Sequence, residues 1–162
     1  MSQGEFTTSE MWDAFTALLA ASLAGVDVKR ISARDFNDGG ELILNPPSAR
    51  SFFAGEGAAS TSDTQRLSYN VVARMIVLCA DQDLSDPVAQ AQASLTLAGK
   101  VKTAMIGARL VLASGDTSEP ITYIGMEPEP VEGLGIAYAA AFEVPGLAQF
   151  AGANANPAGE SD

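Results

Sequence analysis

The sequence predicts an α+β fold: a largely antiparallel sheet with a long β-hairpin, covered by two main helices. Three observations support it. Two segments have helical spacing and clear end signals. The strand-like segments cluster between and after them instead of alternating with helices one by one. The run Gln65–Asp81 (QRLSYNVVARMIVLCAD) alternates without a Pro or Gly for roughly three times the length of an ordinary strand.

The first helix opens on Thr7 to Glu10, a Thr-x-x-Glu capping box. Met11, Trp12, Phe15, Leu18, Leu19 and Leu23 follow at helical spacing and Gly25 supplies a stop, so the helix is expected over 8–24. It carries no Lys or Arg, which favours core packing over a membrane surface. Val26 to Ile31 reads as a short strand. Residues 35–47 place turn signals on both sides of a brief apolar run, Leu42 to Leu44. Ser48 to Gly55 reads as a strand, and Gly55 to Thr64 (GEGAASTSDT) as a small, polar, flexible loop.

The long strand comes next. Leu67, Tyr69, Val71, Ala73, Met75, Val77 and Cys79 fall on one face; Ser68, Asn70, Val72, Arg74, Ile76 and Leu78 fall on the other. At ~3.3 Å per residue it would reach ~50 Å, longer than a domain of this size is wide. Residues 48–80 are therefore expected to form an extended hairpin that bends or projects.

Asp86-Pro87 starts the second helix, Asp as N-cap and Pro in the first turn, and Gly107 ends it after Ile106. Val88, Leu95, Ala98, Met105 and Ile106 form its expected apolar stripe; Gln92, Thr96, Lys100 and Thr103 form the polar side. Ala108–Ala113, Ile121–Met126 and Gly135–Val144 read as strands, with EPEPVEG (127–133) breaking the chain before the last. One domain over 1–147 is expected, with a small, polar, disordered tail over 148–162.

The chain has no histidine, which removes the commonest general base, the commonest metal ligand and every His-dependent triad. Its net charge is −11 and its nine Lys and Arg residues form no dense patch, which disfavours tight phosphate binding. No run of about 18 apolar residues predicts a transmembrane helix. The opening segment, with Glu5 and no basic residue, does not read as a secretory signal. Cys79, the one cysteine, lies mid-strand and reads as a buried thiol.

The remaining chemical motifs favour structural readings. Gly55-Glu-Gly57-Ala-Ala-Ser60 lacks the third glycine and the helix of a dinucleotide loop. Gly99-Lys100-Val101 lacks the upstream glycine of a phosphate loop. Asp81, Asp83 and Asp86 lack the glycine and glutamate of a calcium loop. Glu127, Glu129 and Glu132 are spaced by prolines, as in an acidic surface loop with ordinary pKa values. No catalytic, metal or cofactor residue is assigned, and no cofactor is expected.

The strand pair PSARSFFAG and QRLSYNVVARMIVLCAD, the Asp-Pro-started helix and the closing YIGMEPEPVEGLGIAYAAAFEV together resemble the Mu-type tail terminator family of contractile-tailed phages and related prophages. The resemblance spans roughly residues 5–145 and rests on diffuse motifs. It implies a virion structural protein, not an enzyme. Such a protein forms a homo-hexameric ring at the head-proximal end of the tail and stops tube polymerisation. It meets the tail tube, sheath and neck or connector proteins. It would assemble in the bacterial host cytoplasm, DNA would pass through the lumen without specific binding, and no membrane would be involved. Interface residues then follow from position alone: Glu56, Asp63 and Arg66 at the hairpin tip, with Phe52, Phe53 and Arg74 along its arms. Phe52 and Phe53 face opposite sides of a strand, so one is expected in the core and the other at a partner. The competing readings are another neck or tail completion protein, a small ligand-binding α+β domain, and a hydrolase relying on carboxylates alone.

Overall fold

A computed structural model describes residues 8–40, 42–63, 68–82, 86–113, 115, 117–131 and 135–150. Helix α1 (Thr8–Ser22) buries Met11, Phe15 and Leu19 on one stripe, and Leu23 continues that stripe past its end. Strand β1 (Asp27–Arg30) follows, then a single 3-10 turn over Ala33–Asp35. Strands β2 (Ser48–Asp63) and β3 (Ser68–Ala80) form the expected hairpin. Helix α2 (Pro87–Met105) leads to β4 (Thr122–Val131) and β5 (Gly135–Phe150).

The five strands make one sheet in the order β1-β2-β3-β5-β4, antiparallel throughout except for the parallel β1–β2 pair. This is the α+β architecture that the sequence predicts. Both helices cover one face: α1 lies against β1 and β2, and α2 against β3 and β5. Val71, Ala73, Met75, Val77 and Cys79 of β3 are all buried, as their alternation predicts, and all but Val71 join one core cluster. Phe142 of β5 sits at its centre, with its ring centroid 6.3 Å from Phe15 and 5.8 Å from Tyr123.

Cys79 is fully buried, and burial alone pushes its thiol up to about 12. A thiol reagent at about pH 8 is expected to leave folded protein unmodified and to label Cys79 only in denaturant. Comparable labelling of the folded chain would contradict this placement.

Several sequence expectations need correction. Residues 55–63 are not a loop: they continue β2, and bulges at Ala54, Ala59 and Ser62 absorb the broken alternation that resembled a loop. Ala108–Ala113 is not a strand. Only an isolated bridge joins Val111 to Thr117, and the segment is held by hydrogen bonds from Leu110 N–H to Ser118 Oγ and from Ser118 N–H to Leu110 O. EPEP does not end β4. An edge strand tolerates proline where its N–H would face outward, so Pro128 and Pro130 stay in the ladder opposite Tyr138 and Ile136. β5 runs to Phe150, so residues 148–150 of the expected tail belong to the sheet. Helix α1 stops two residues earlier than expected, at Ser22.

The largest correction concerns the buried face of α2. Asp86 caps the helix, accepting from Ala89 N–H at 2.8 Å, and the chain leaves it through Gly107 at φ +82 as predicted. Yet Val88, Leu95 and Ile106 are exposed, while Gln90, Ser94, Leu97, Ala98, Val101 and Met105 point inward. Counting apolar residues misplaces the face because two polar residues are recruited to bind backbone. Gln90 donates to Asp81 O at 3.0 Å and Ile136 O at 3.1 Å, and accepts from Ile136 N–H at 3.0 Å. Ser94 Oγ accepts from Asp81 N–H at 3.0 Å. These bonds tie the end of β3 and the start of β5 to α2.

Gly135 fits this junction because it has no side chain. Its φ is +116, and a Cβ there would lie 2.5 Å from Gln90 Oε1. Gly135→Ala is expected to cost about 1–3 kcal/mol in urea unfolding, through backbone strain and loss of the Gln90 clamp. A change below about 0.5 kcal/mol, within the range of ordinary surface substitutions, would show that the clamp contributes little.

Candidate functional site

The central strands outrun their neighbours. β1 covers only Ser48–Ser51 of β2, and β4 covers β5 only as far as Glu143. Beyond those points β2, β3 and β5 continue together as a three-stranded arm, in ladders reaching Asp63–Ser68 and Ser68–Phe150. The predicted two-stranded hairpin thus gains a third strand. On the β5 side, Glu119 N–H bonds Pro145 O at 3.0 Å. Among the described residues, no strand lies beside β2 after Ser51 or beside β5 after Glu143. Among the described residues the arm therefore has two edges without a neighbouring strand, one along β2 and one along the end of β5, where Glu119 already occupies Pro145 O. Unpaired N–H and C=O groups in such rows are templates for strand addition.

The predicted interface residues separate on this frame. Phe53 lies opposite Met75 on the helix-covered face and packs against the core, so it is the inward member of the pair. Phe52 lies opposite Ile76 on the open face and stays half-exposed. The bulge at Ala54 reverses the alternation, placing Glu56 opposite Ala73 on the helix side. There Glu56 accepts from Thr8 Oγ1 at 3.2 Å, at the start of α1, where a carboxylate complements the helix dipole. Arg74 stands exposed on the open face, 3.4 Å from Glu143 across the β3–β5 ladder, a pair worth at most about 1 kcal/mol. Asp63 closes the β2–β3 ladder opposite Ser68. Arg66 lies outside the described residues. Arg74 and Glu143 also bound a shallow hollow of about 520 Å³ with Ala54–Gly57 and Val72.

A second polar group, not recognised in the sequence, anchors the base of the arm. Arg50 is buried under the 31–45 loop, with Nε 2.9 Å from Asp35 Oδ1 and Nη2 2.7 Å from Asp27 Oδ2. Its Nη1 also donates to Asp27 O at 2.6 Å. The Arg50 guanidinium holds the Asp27 carboxyl below its ordinary value, with Lys29 adding a smaller pull. Asp35 closes a capping box with Ser32, accepting from its N–H at 2.8 Å. The sequence signals were available: an arginine inside a strand of small and aromatic residues, and Ser32-x-x-Asp35.

On the flank of α1 that meets β1 and β2, Trp12 Nε1 donates to buried Ser51 Oγ at 3.0 Å. Arg30 stacks 3.9 Å from the Trp12 ring and pairs with Asp13 at 2.6 Å. The arm thus rises from a base fixed on both faces.

Among the described residues, no three His, Cys, Asp or Glu side chains converge as a metal site would require. No described helix is long and apolar enough to cross a membrane. No protein-family model and no curated protein matches the chain.

Proposed function

We propose that the chain is the tail terminator of a contractile-tailed phage or related prophage, a ring-forming part that caps the completed tail tube and receives the neck. The observation that carries this reading is the three-stranded arm, whose two unlike edges lack a neighbouring strand among the described residues. Unlike edges pair head to tail, and head-to-tail contacts close into rings when the rotation permits. The resemblance of the two arm strands and the closing strands to the Mu-type family supplies the identity of the ring. A net charge of −11 suits a lumen through which DNA slides without being held. Tail tube, sheath and connector proteins are the remaining partners in this proposal.

Negative-stain microscopy of particles carrying a gold-labelled chain tests the assignment. Label at the head-proximal end of the tail is the expected result. Label at the baseplate or along the sheath would overturn it in favour of another tail component, and absence from particles would remove the virion role.

A further inference from the structure

The chain contains a single Asp-Gly dipeptide, Asp38-Gly39, and no Asn-Gly. Aspartate before glycine is the pair most open to backbone isomerisation. The following nitrogen closes a five-membered ring onto the aspartate Cγ, and glycine brings no Cβ to obstruct it. Asp38 stands exposed in the 31–45 loop, in a turn at whose end Gly40 takes φ +81. Gly40 N–H donates to Asn37 O at 3.0 Å and Gly39 N–H to Asn37 Oδ1 at 2.9 Å. Among the described residues, no hydrogen bond or ion pair holds the Asp38 carboxyl. It is therefore free to rotate towards Gly39.

The other described aspartates are restrained. Asp13 lies in α1 and pairs with Arg30; Asp27 and Asp35 are held by Arg50; Asp63 sits in the β2–β3 ladder. Asp86 precedes a proline, which has no N–H to react. Asp81 is the close competitor, since Gln82 N–H donates to Asp81 Oδ1 at 2.7 Å. There the following residue carries a side chain, which crowds ring closure.

We infer that Asp38-Gly39 is a site of spontaneous isoaspartate formation, and that the product loosens the loop packed over Arg50. Gly39 N bonds to Asp38 Cγ, its proton leaves with the carboxyl hydroxyl as water, and a succinimide forms. Water then adds to the main-chain carbonyl carbon of Asp38, and the bond from that carbon to Gly39 N breaks. The chain now runs through Cβ and Cγ of Asp38, and the former carbonyl carbon becomes a free carboxylate. Water is lost and regained, so mass and oxidation state are unchanged.

The backbone gains an atom inside a tight connection. Phe36 is bridged to Leu42, and Ile43 N–H donates to Asp35 O at 2.7 Å. Leu42 and Leu44 pack on the cluster of Leu78 and Val131, and Asp35 binds Arg50. A longer path between residues 38 and 39 breaks the Asn37–Gly40 hydrogen bond and disturbs the Phe36–Leu42 bridge. This inference is independent of ring formation.

The purified protein is held at physiological pH and temperature for several weeks. Isoaspartate is then labelled with an isoaspartyl methyltransferase and located by mass spectrometry of peptides. Label at Asp38 exceeding that at all other aspartates together is expected. Asp38→Glu keeps the charge but would need a slower six-membered ring, and should abolish the label. Gly39→Ala should reduce it, and Asp38→Asn should speed isomerisation because ammonia is the leaving group. NMR of the aged protein should show shifted amides at Phe36, Leu42 and Ile43, with core residues such as Phe142 unmoved. No label, equal or greater label at Asp81, or undiminished label in Asp38→Glu would overturn the site. Label at Asp38 with unmoved amides at Phe36 and Leu42 would overturn the loosening of the loop.

Discussion

Arg50→Ala is expected to destabilise the fold by about 3–5 kcal/mol in urea or thermal unfolding, the usual cost of removing one partner from a buried ion pair. The side chain is almost wholly buried and holds two carboxylates from two different segments. Its removal leaves Asp35 buried with the Ser32 N–H as its remaining partner among the described hydrogen bonds. It also removes the side-chain tie from β2 to β1 and to the 3-10 turn, leaving β1 held by its parallel ladder. Arg50→Lys keeps the charge but loses the fork that reaches both aspartates, and an intermediate loss is expected. A loss below about 1 kcal/mol for Arg50→Ala would show that the network is not what fixes the base of the arm.

The same network sets a direction for pH dependence. Asp27 has its pKa lowered on folding, so its contribution is fully present above the ordinary value of 3.8 and is lost as pH falls through the lowered one. Wild-type stability should therefore fall below about pH 4 more steeply than that of Arg50→Lys. Equal slopes would contradict the assigned pairing.

Trimming the arm is expected to separate folding from assembly. Ala58 and Val71 stand opposite each other in the β2–β3 ladder, so a two-residue Asn-Gly turn can replace residues 59–70 and close the hairpin there. The cut spares the buried core of β3 from Val71 onward and both helices. The trimmed chain should keep its circular dichroism and cooperative unfolding, yet sediment as a monomer at concentrations where the full chain assembles. An assembled trimmed chain would move the self-contact away from the arm. A trimmed chain that fails to unfold cooperatively would show that the arm is part of the core.

Much of the fold was legible because burial on one face imposes strict periodicity. Val71 to Cys79 could alternate in only one way, and Asp86-Pro87 and Gly107 mark ends whose chemistry is local. The errors arose where a distant partner overrides local preference. Gln90 and Ser94 are polar, yet they face inward because the ends of β3 and β5 need hydrogen-bond partners. Gly55 to Asp63 has loop composition, yet β3 holds it in a ladder that tolerates three bulges.

Side-chain directions along the arm were the least legible. One inserted residue at Ala54 turns Glu56 towards α1, and no periodicity within eight residues reveals a bulge. Phe52 and Phe53 fared better, because adjacent strand residues must diverge whichever of them is inside.

In the proposed role, the edges of the arm join copies of this chain into a closed ring. Native mass spectrometry of the purified 162-residue chain, at low salt and micromolar concentration, tests this most directly. One dominant species with six times the chain mass and no ladder of larger products is expected, because a closed ring has no free edge left. A monomer at every concentration, or an open series of ever larger assemblies, would contradict it.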